Sequence, residues 1–226
     1  TANDAFKPVT RYFDRITRPE QIISSLQQAI QVMLDPADCG PACISLSQDV
    51  QGEVYDYPEE FFKERIHTIR RTKPDDFQIK EAAELIKKSK KPIIISGGGV
   101  FYSDATDELS SFASKHNIPV TQTVMGYSTM KKDHSHYLGV IGGLGGKAAN
   151  NLSKETDTAI AIGTKLADFT TGSWANFENS NFKLVSINAA RFDANKHMAQ
   201  AIVGDAKVSL IELSQALGNW KADDNW

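Results

Sequence analysis

Cysteine is scarce in this 226-residue chain: Cys39 and Cys43 are the only two. A structural zinc site needs about four ligands, and the nearest histidine, His67, lies far off in sequence. The two thiols read as reduced and partly buried. Net charge is also small, −3 at pH 7. That excludes the strongly basic surface expected of a nucleic-acid or anionic-membrane binder. Long apolar runs are missing as well. Ile93-Ile94-Ile95 is among the longest, so no signal peptide or membrane span is visible. These absences give the expectation of a cytoplasmic protein with neither nucleic acid nor membrane among its partners.

Catalytic signatures are equally thin. No Gly-x-Ser-x-Gly elbow occurs. Asp133, His134, Ser135 and His136 stand side by side, and members of a triad converge from separate elements instead. His134 and His136 read either as a metal-chelating pair or as part of a solvated loop.

What is present is an ordinary globular composition, 41% hydrophobic and 23% charged, enough for one to two domains. Residues 1–52 read as a partial β-α-β unit. The segment Phe6–Ile16 reads as extended. Residues 19–34 read as a helix, with Thr17 as cap and Pro19 in the first turn, and 42–47 as a strand. Residues 53–74 are charged and Pro-punctuated, and read as a linker.

From residue 75 the pattern becomes regular. Helices are expected at 75–89 (Phe77, Ile79, Ala82, Ala83, Leu85, Ile86), 104–116 and about 147–155, with strands at 92–96, 118–124, 158–163, 183–188 and 200–203. Gly204-Asp205 opens a last helix with Val208, Ile211 and Leu217 on one face. The approach to the second glycine cluster, His136–Ile141, reads as a poor strand. Short β-branched strands alternating with amphipathic helices predict an α/β domain over 75–220. Its sheet is a doubly wound, Rossmann-like parallel sheet of about five or six strands, with 221–226 as a tail.

Three loops carry candidate chemistry. Gly97-Gly98-Gly99, after a strand and before a helix, either presents backbone N–H groups to phosphate or simply makes a tight turn. The G-x-G-x-x-G pattern fails at Tyr102. Gly142-Gly143-Leu144-Gly145-Gly146-Lys147-Ala148 fits G-x-G-x-x-A formally, without a Walker frame around Lys147. Gly163–Trp174 hangs from the carboxyl end of a strand, where open α/β sheets bind ligands. Its Lys165 and Asp168 read as binding residues or as an exposed pair.

The order of these segments resembles the thiamine-diphosphate (ThDP) enzymes. Gly40-Pro41 before a strand and Ser47-Gln48-Asp49-Val50 look like the exit from the pyrimidine-binding domain of that class. Lys91 through Gly99, Ile160-Ala161-Ile162-Gly163-Thr164 and Ile202-Val203-Gly204-Asp205-Ala206 look like landmarks of its central domain. Within the class, Asn3 through Ile16, Arg18-Pro19-Glu20-Gln21, Ile44 through Asp56 and Thr164 through Ser173 resemble the trihydroxycyclohexane-1,2-dione hydrolases of myo-inositol catabolism.

The resemblance implies a ThDP- and Mg²⁺-dependent hydrolase that opens the cyclic dione to 5-deoxy-glucuronate. The chain would then be a fragment of a homo-oligomeric enzyme. It would hold the end of one domain plus the central domain, and its partners would be the remaining N- and C-terminal domains of its own chain. The class activates its cofactor with a glutamate in its first domain and binds metal through Gly-Asp-Gly…Asn in its third. Gly204-Asp205 continues with Ala206, so no catalytic or metal residue carries over. The fragment is expected to be inactive, to have a structural role and to bind none of the enzyme's cofactors. Some relatives hold FAD or ADP in the central domain, and Gly97, Gly98, Gly99, Gly163 and Thr164 are the positions that would line such a site. The alternative is therefore a nucleotide-binding module for ADP, FAD or NAD in another ThDP enzyme, such as an acetolactate-synthase relative.

Overall fold

Six short parallel strands, the central ones rich in Ile, Val or Ala, build the larger part of the protein. The computed structural model describes residues 1–226. The chain divides into two units, Thr1–Arg70 and Arg71–Trp226.

The first unit contains α1 (Ala2–Phe6), a 3₁₀ turn at Lys7–Val9, β1 (Tyr12–Ile16), α2 (Gln21–Leu34), β2 (Ala42–Leu46) and α3 (Gln48–Gln51). β1 and β2 pair in parallel, from Tyr12 opposite Ala42 to Ile16 opposite Leu46. The Ser25 hydroxyl on α2 donates to the Asp14 carboxylate on β1, which ties helix to sheet. Only Ile16, Ala29 and Val50 form a buried apolar set here, while Leu26, Met33 and Leu46 stay exposed. A two-stranded sheet with one long helix cannot enclose a core of its own. Beyond α3, the only regular element before Asp76 is a 3₁₀ turn at Glu59–Phe62.

Four expectations for this unit need correction. Phe6–Ile16 is extended only from Tyr12, because Ala2–Val9 is helical. Pro19 lies in the turn before α2. Thr17 does not cap that helix: its N–H and hydroxyl donate to the Gln21 side-chain carbonyl, at 2.8 and 2.9 Å. Cys39 is exposed rather than partly buried, and both thiols are free.

The second unit runs α4 (Asp76–Lys87), β3 (Pro92–Ser96), α5 (Gly98–Tyr102), α6 (Thr106–His116), β4 (Val120–Gln122), β5 (Tyr137–Val140), α7 (Lys147–Glu155), β6 (Thr158–Ile162), α8 (Asp168–Thr171), β7 (Lys183–Asn188), α9 (Arg191–Ala194), β8 (Gln200–Val203) and α10 (Ala206–Leu217). The sheet order is β5-β4-β3-β6-β7-β8, parallel throughout. Alternation sends Ile94, Ile160, Ile162, Val185 and Ile187 to one face, under α4, α6 and α10. Ile93, Ile95, Ala159, Ala161 and Leu184 face the other side, with Ala149 of α7. Each fully buried isoleucine contributes roughly 1.5–3 kcal/mol. That burial on both faces explains why the strands read as unbroken apolar runs.

Helix starts follow their caps. The Asp75 carboxylate accepts from Phe77 N at 2.7 Å. The Asp205 carboxylate accepts from Lys207 N at 3.0 Å and Val208 N at 3.3 Å. After α10 the chain stays packed: Ala222 N donates to His116 O at 2.9 Å, and Trp226 Nε1 donates to Pro92 O at 2.7 Å.

The poor strand before the second glycine cluster is a real edge strand, β5, paired to β4 through a register shift between Val120 and Thr121. The Gly-Gly-Gly turn coils into α5, so the helix expected from 104 begins at Thr106. Phe77 is 68% exposed. The inward face of α10 is Ala206, Leu210, Leu213 and Leu217, with Ile211 outside. No helix is long and apolar enough to cross a membrane.

Candidate functional site

The sheet reverses its winding between β3 and β6. β3 leads through α5 and α6 to β4 on one side, and β6 leads through α8 to β7 on the other. The carboxyl ends of two such strands frame the crevice where open α/β sheets bind ligands. Gly97–Gly99 follow β3 and Gly163-Thr164 follow β6 there, so the fold brings together all five sequence-predicted positions.

The glycines are used against each other. Gly97 N donates to Ile162 O at 2.8 Å, and Gly99 N to Gly163 O at 2.9 Å. A Cβ on Gly99 would stand 2.6 Å from Gly163 Cα. A Cβ on Gly97 would meet the Gly163 carbonyl oxygen and stand 2.5 Å from Thr164 Cβ. Gly163 has φ +60, a left-handed conformation open mainly to glycine. The Thr164 hydroxyl accepts from Leu166 N at 3.2 Å, and its carbonyl accepts from Asn188 Nδ2 at 3.3 Å. The tight-turn reading of Gly97–Gly99 thus has a definite physical cause.

The second glycine cluster reaches the same end of the sheet. Gly143 N donates to Phe169 O at 2.9 Å. Asn150 Oδ1 accepts from Gly142 N at 2.9 Å, and Asn150 Nδ2 donates to Gly142 O at 3.1 Å. Asn176 Nδ2 donates to Asn150 Oδ1 at 3.3 Å. The Gly142–Gly146 loop is therefore clamped onto α8. Neither asparagine announces itself in the sequence, because the clamp depends on partners 8 and 26 residues away. Lys165 and Asp168 lie exposed in the same loop region. Phe101, Tyr102, Met125, Leu144 and Phe169, all more than half exposed, follow the ends of β3, β4, β5 and β6.

In the crevice Gly97 N and Gly99 N are spent on Ile162 O and Gly163 O, and the Thr164 hydroxyl accepts from Leu166 N, so these groups close the turn and none is placed to move protons. Groups with shifted pKa lie elsewhere. Burial pushes His116 down, against the pull of its hydrogen bond to Trp220 O. Burial, with His134 beside it, also lowers His136. Burial would raise Asp157, but hydrogen bonds from Ser89, Lys90 N and Lys91 N outweigh it and hold the carboxyl below its ordinary range. His134 and His136 are occupied within the chain, by Ser114 Oγ at 3.1 Å and Asn117 Oδ1 at 3.0 Å. No group of three or more His, Cys, Asp or Glu is placed to hold a metal ion.

Asp205, in the Gly204-Asp205 pair, is 6% exposed. Besides its two backbone donors it accepts from Ser103 Oγ at 2.7 Å and Arg71 Nη1 at 3.2 Å. Both oxygens are committed to the fold, so the residues present do not fit a diphosphate-bound metal ion.

Residues 79–213 match the family model described as "Thiamine pyrophosphate enzyme, central domain". The chain is 48% identical over 217 residues to a 3D-(3,5/4)-trihydroxycyclohexane-1,2-dione hydrolase of Clostridium perfringens, covering 96% of this chain and 34% of that protein. It is 48% identical over 223 residues to a hydrolase of the same name from Bacillus subtilis, covering 99% and 35%. The chain thus spans about a third of the length of the curated relatives it matches. Among solved structures, benzoylformate decarboxylase from Polynucleobacter necessarius superposes with a TM-score of 0.75 at 21% identity, over 100% of this chain and 41% of that one. A thiamin diphosphate-dependent enzyme from Mycobacterium smegmatis gives 0.76 at 21% identity, over 100% and 42%. These superpositions carry the fold, and with the family match over the six-stranded sheet they place this chain among the thiamine pyrophosphate enzymes, as a bearer of their central domain.

Proposed function

We infer that this chain is the central part of a ThDP- and Mg²⁺-dependent hydrolase that opens a trihydroxycyclohexane-1,2-dione by C–C cleavage to 5-deoxy-glucuronate, in the cytoplasm, during inositol catabolism. The observation that carries this reading is the 48% identity, spread over 96% of the chain, to a hydrolase of that name. The part played by these residues is structural: they space and assemble the domains that hold the cofactor in a homo-oligomer. Residues 1–52 are read as the end of the pyrimidine-binding domain, 53–74 as a linker, 75–220 as the central domain and 221–226 as a tail. The commitment of Asp205 to Ser103, Arg71 and its own helix supports an inactive fragment.

The test is a transplant. The matching third of the Bacillus subtilis hydrolase is replaced by residues 1–226, and ring opening is followed with ThDP and Mg²⁺. The chimera is expected to open the dione, and the 226-residue chain alone is not. Ring opening by the chain alone would sink the inactive-fragment reading. A folded chimera without activity would sink the substrate assignment.

One observation favours a second reading, a nucleotide site for ADP, FAD or NAD: the convergence of Gly97, Gly98, Gly99, Gly163 and Thr164 at the reversal point of the sheet. A ligand at 100 times its Kd stabilises by about 2.7 kcal/mol. A thermal-shift titration showing no change at millimolar nucleotide would retire it.

A further inference from the structure

At the opposite, amino end of the sheet lies a cavity of about 650 Å³. That falls within the range of small-molecule sites. Leu85 of α4, Trp174, Phe182 and Leu184 wall it, and Lys183 and Gln200 open β7 and β8 along its length. An adjoining cavity of about 460 Å³ shares Leu85, Lys183 and Gln200.

The two loops over this cavity are held in costly backbone states. Ser173 and Trp174 have φ +54 and +67, and His197 and Met198 have φ +60 and +55. Non-glycine residues in that region cost of order 1 kcal/mol or more each. No other stretch of the chain has two adjacent non-glycine residues at positive φ. The strain has a visible product: the Trp174 and His197 rings meet edge to face with centroids 4.6 Å apart. Met198 is left wholly exposed at the mouth.

The charge pattern narrows the occupant. Lys183 is exposed and takes part in none of the chain's ion pairs. Of the carboxylates lining the adjoining cavity, Glu84 is paired with Lys87 at 3.1 Å and Asp157 is bound by Ser89 and by the Lys90 and Lys91 backbone, while Glu81 takes part in no ion pair and is offset on the same lining by Lys88, which takes part in none either. An ammonium without an ion pair, on a lining that also carries an indole and a phenyl ring, suits a flat apolar body that ends in an anion.

We propose that this groove binds a planar aromatic acid, its ring against Trp174 and Phe182 and its carboxylate on Lys183, with the Gln200 amide as a second donor. The inference is independent of the hydrolase reading, since it uses no residue of the glycine crevice.

The probe is 1-naphthoate, titrated into the ¹⁵N-labelled 226-residue chain and followed by amide shifts. Saturable shifts are expected at residues 183–184 and 197–200. K183E should weaken binding about ten-fold, the factor that goes with one lost charge-assisted contact. 1-Naphthalenemethanol, which keeps the ring and lacks the charge, should bind weaker by a similar factor, and this comparison needs no variant to fold. Shifts confined to other amides would overturn the proposal, as would no saturation at millimolar probe or equal binding by K183E. Shifts at 197–200 that grow with protein concentration and no probe would also overturn it, by assigning the groove to a second copy of the chain.

Discussion

Ser103 and Asp205 stand 102 residues apart in sequence and share a buried hydrogen bond of 2.7 Å. Ser103 closes α5, and Asp205 opens α10. Ser103 Oγ also accepts from Lys207 N at 2.9 Å, so one hydroxyl joins the end of α5 to the start of the last helix. Asp205→Ala removes a helix cap, this bond and the ion pair to Arg71 at once. It should destabilise by about 3 kcal/mol, and Ser103→Ala by about 1 kcal/mol. Urea unfolding midpoints check both. Equal midpoints for D205A and the parent would show the network to be idle.

Gly163→Ala tests the seam between the two crevice loops. The new methyl meets Gly99 Cα at 2.6 Å on a backbone with φ +60. Stability should fall by more than about 2 kcal/mol, with faster amide exchange at 97–100. Gly139→Ala is the control, since its φ is +96 yet nothing lies within 4 Å. It should cost only the backbone strain, and a G163A loss no larger than that of G139A would remove close approach as the cause.

His116 makes stability depend on pH. Its Nδ1 lies 2.7 Å from Trp220 O and its Nε2 3.0 Å from Ser214 Oγ, so the ring joins α6, α10 and the chain after α10. Its folded pKa is lowered from 6.5, so the unfolded chain takes up the proton first. The contribution is present above about 6.5 and is lost as pH falls below it. Unfolding at pH 7.5 and 5.0 should show the loss, and His116→Gln should flatten it. Lowered Asp157 acts in a separate window, with its contribution lost as pH falls below 3.8.

Asn150→Ala should release the Gly142–Gly146 loop. Two bonds to Gly142 disappear, at a cost of about 1–3 kcal/mol. Hydrogen exchange at 141–146 should rise while β6 and β7 stay protected. Unchanged exchange in that loop would show that α8 holds it without Asn150.

The central strands are legible because they are buried on both faces: Ile93-Ile94-Ile95 and Ala159 through Ile162 have no polar side to confuse the period. β5 is not, because Tyr137–Val140 sits half-buried at an edge, carries Gly139 and gains its register only from β4. α5 begins inside the run of three glycines, at Gly98, and so is hidden. The positions of the crevice can be read from sequence, since glycines after strands mark close approach. Their target cannot, because Gly99 and Gly163 find each other only when β3 and β6 pair. The clamp of Asn150 and Asn176 on Gly142 is a property of the folded loops alone.

The Gly99–Gly163 contact also bears on how such a domain can change over time. Backbone touches backbone there, so the seam admits no new side chain, and its residues are closed to innovation. The residues above it, Phe101, Met125, Leu144 and Phe169, are more than half exposed, so their side chains can be exchanged singly. A lineage built on this scaffold would therefore hold its floor constant and diverge at its rim.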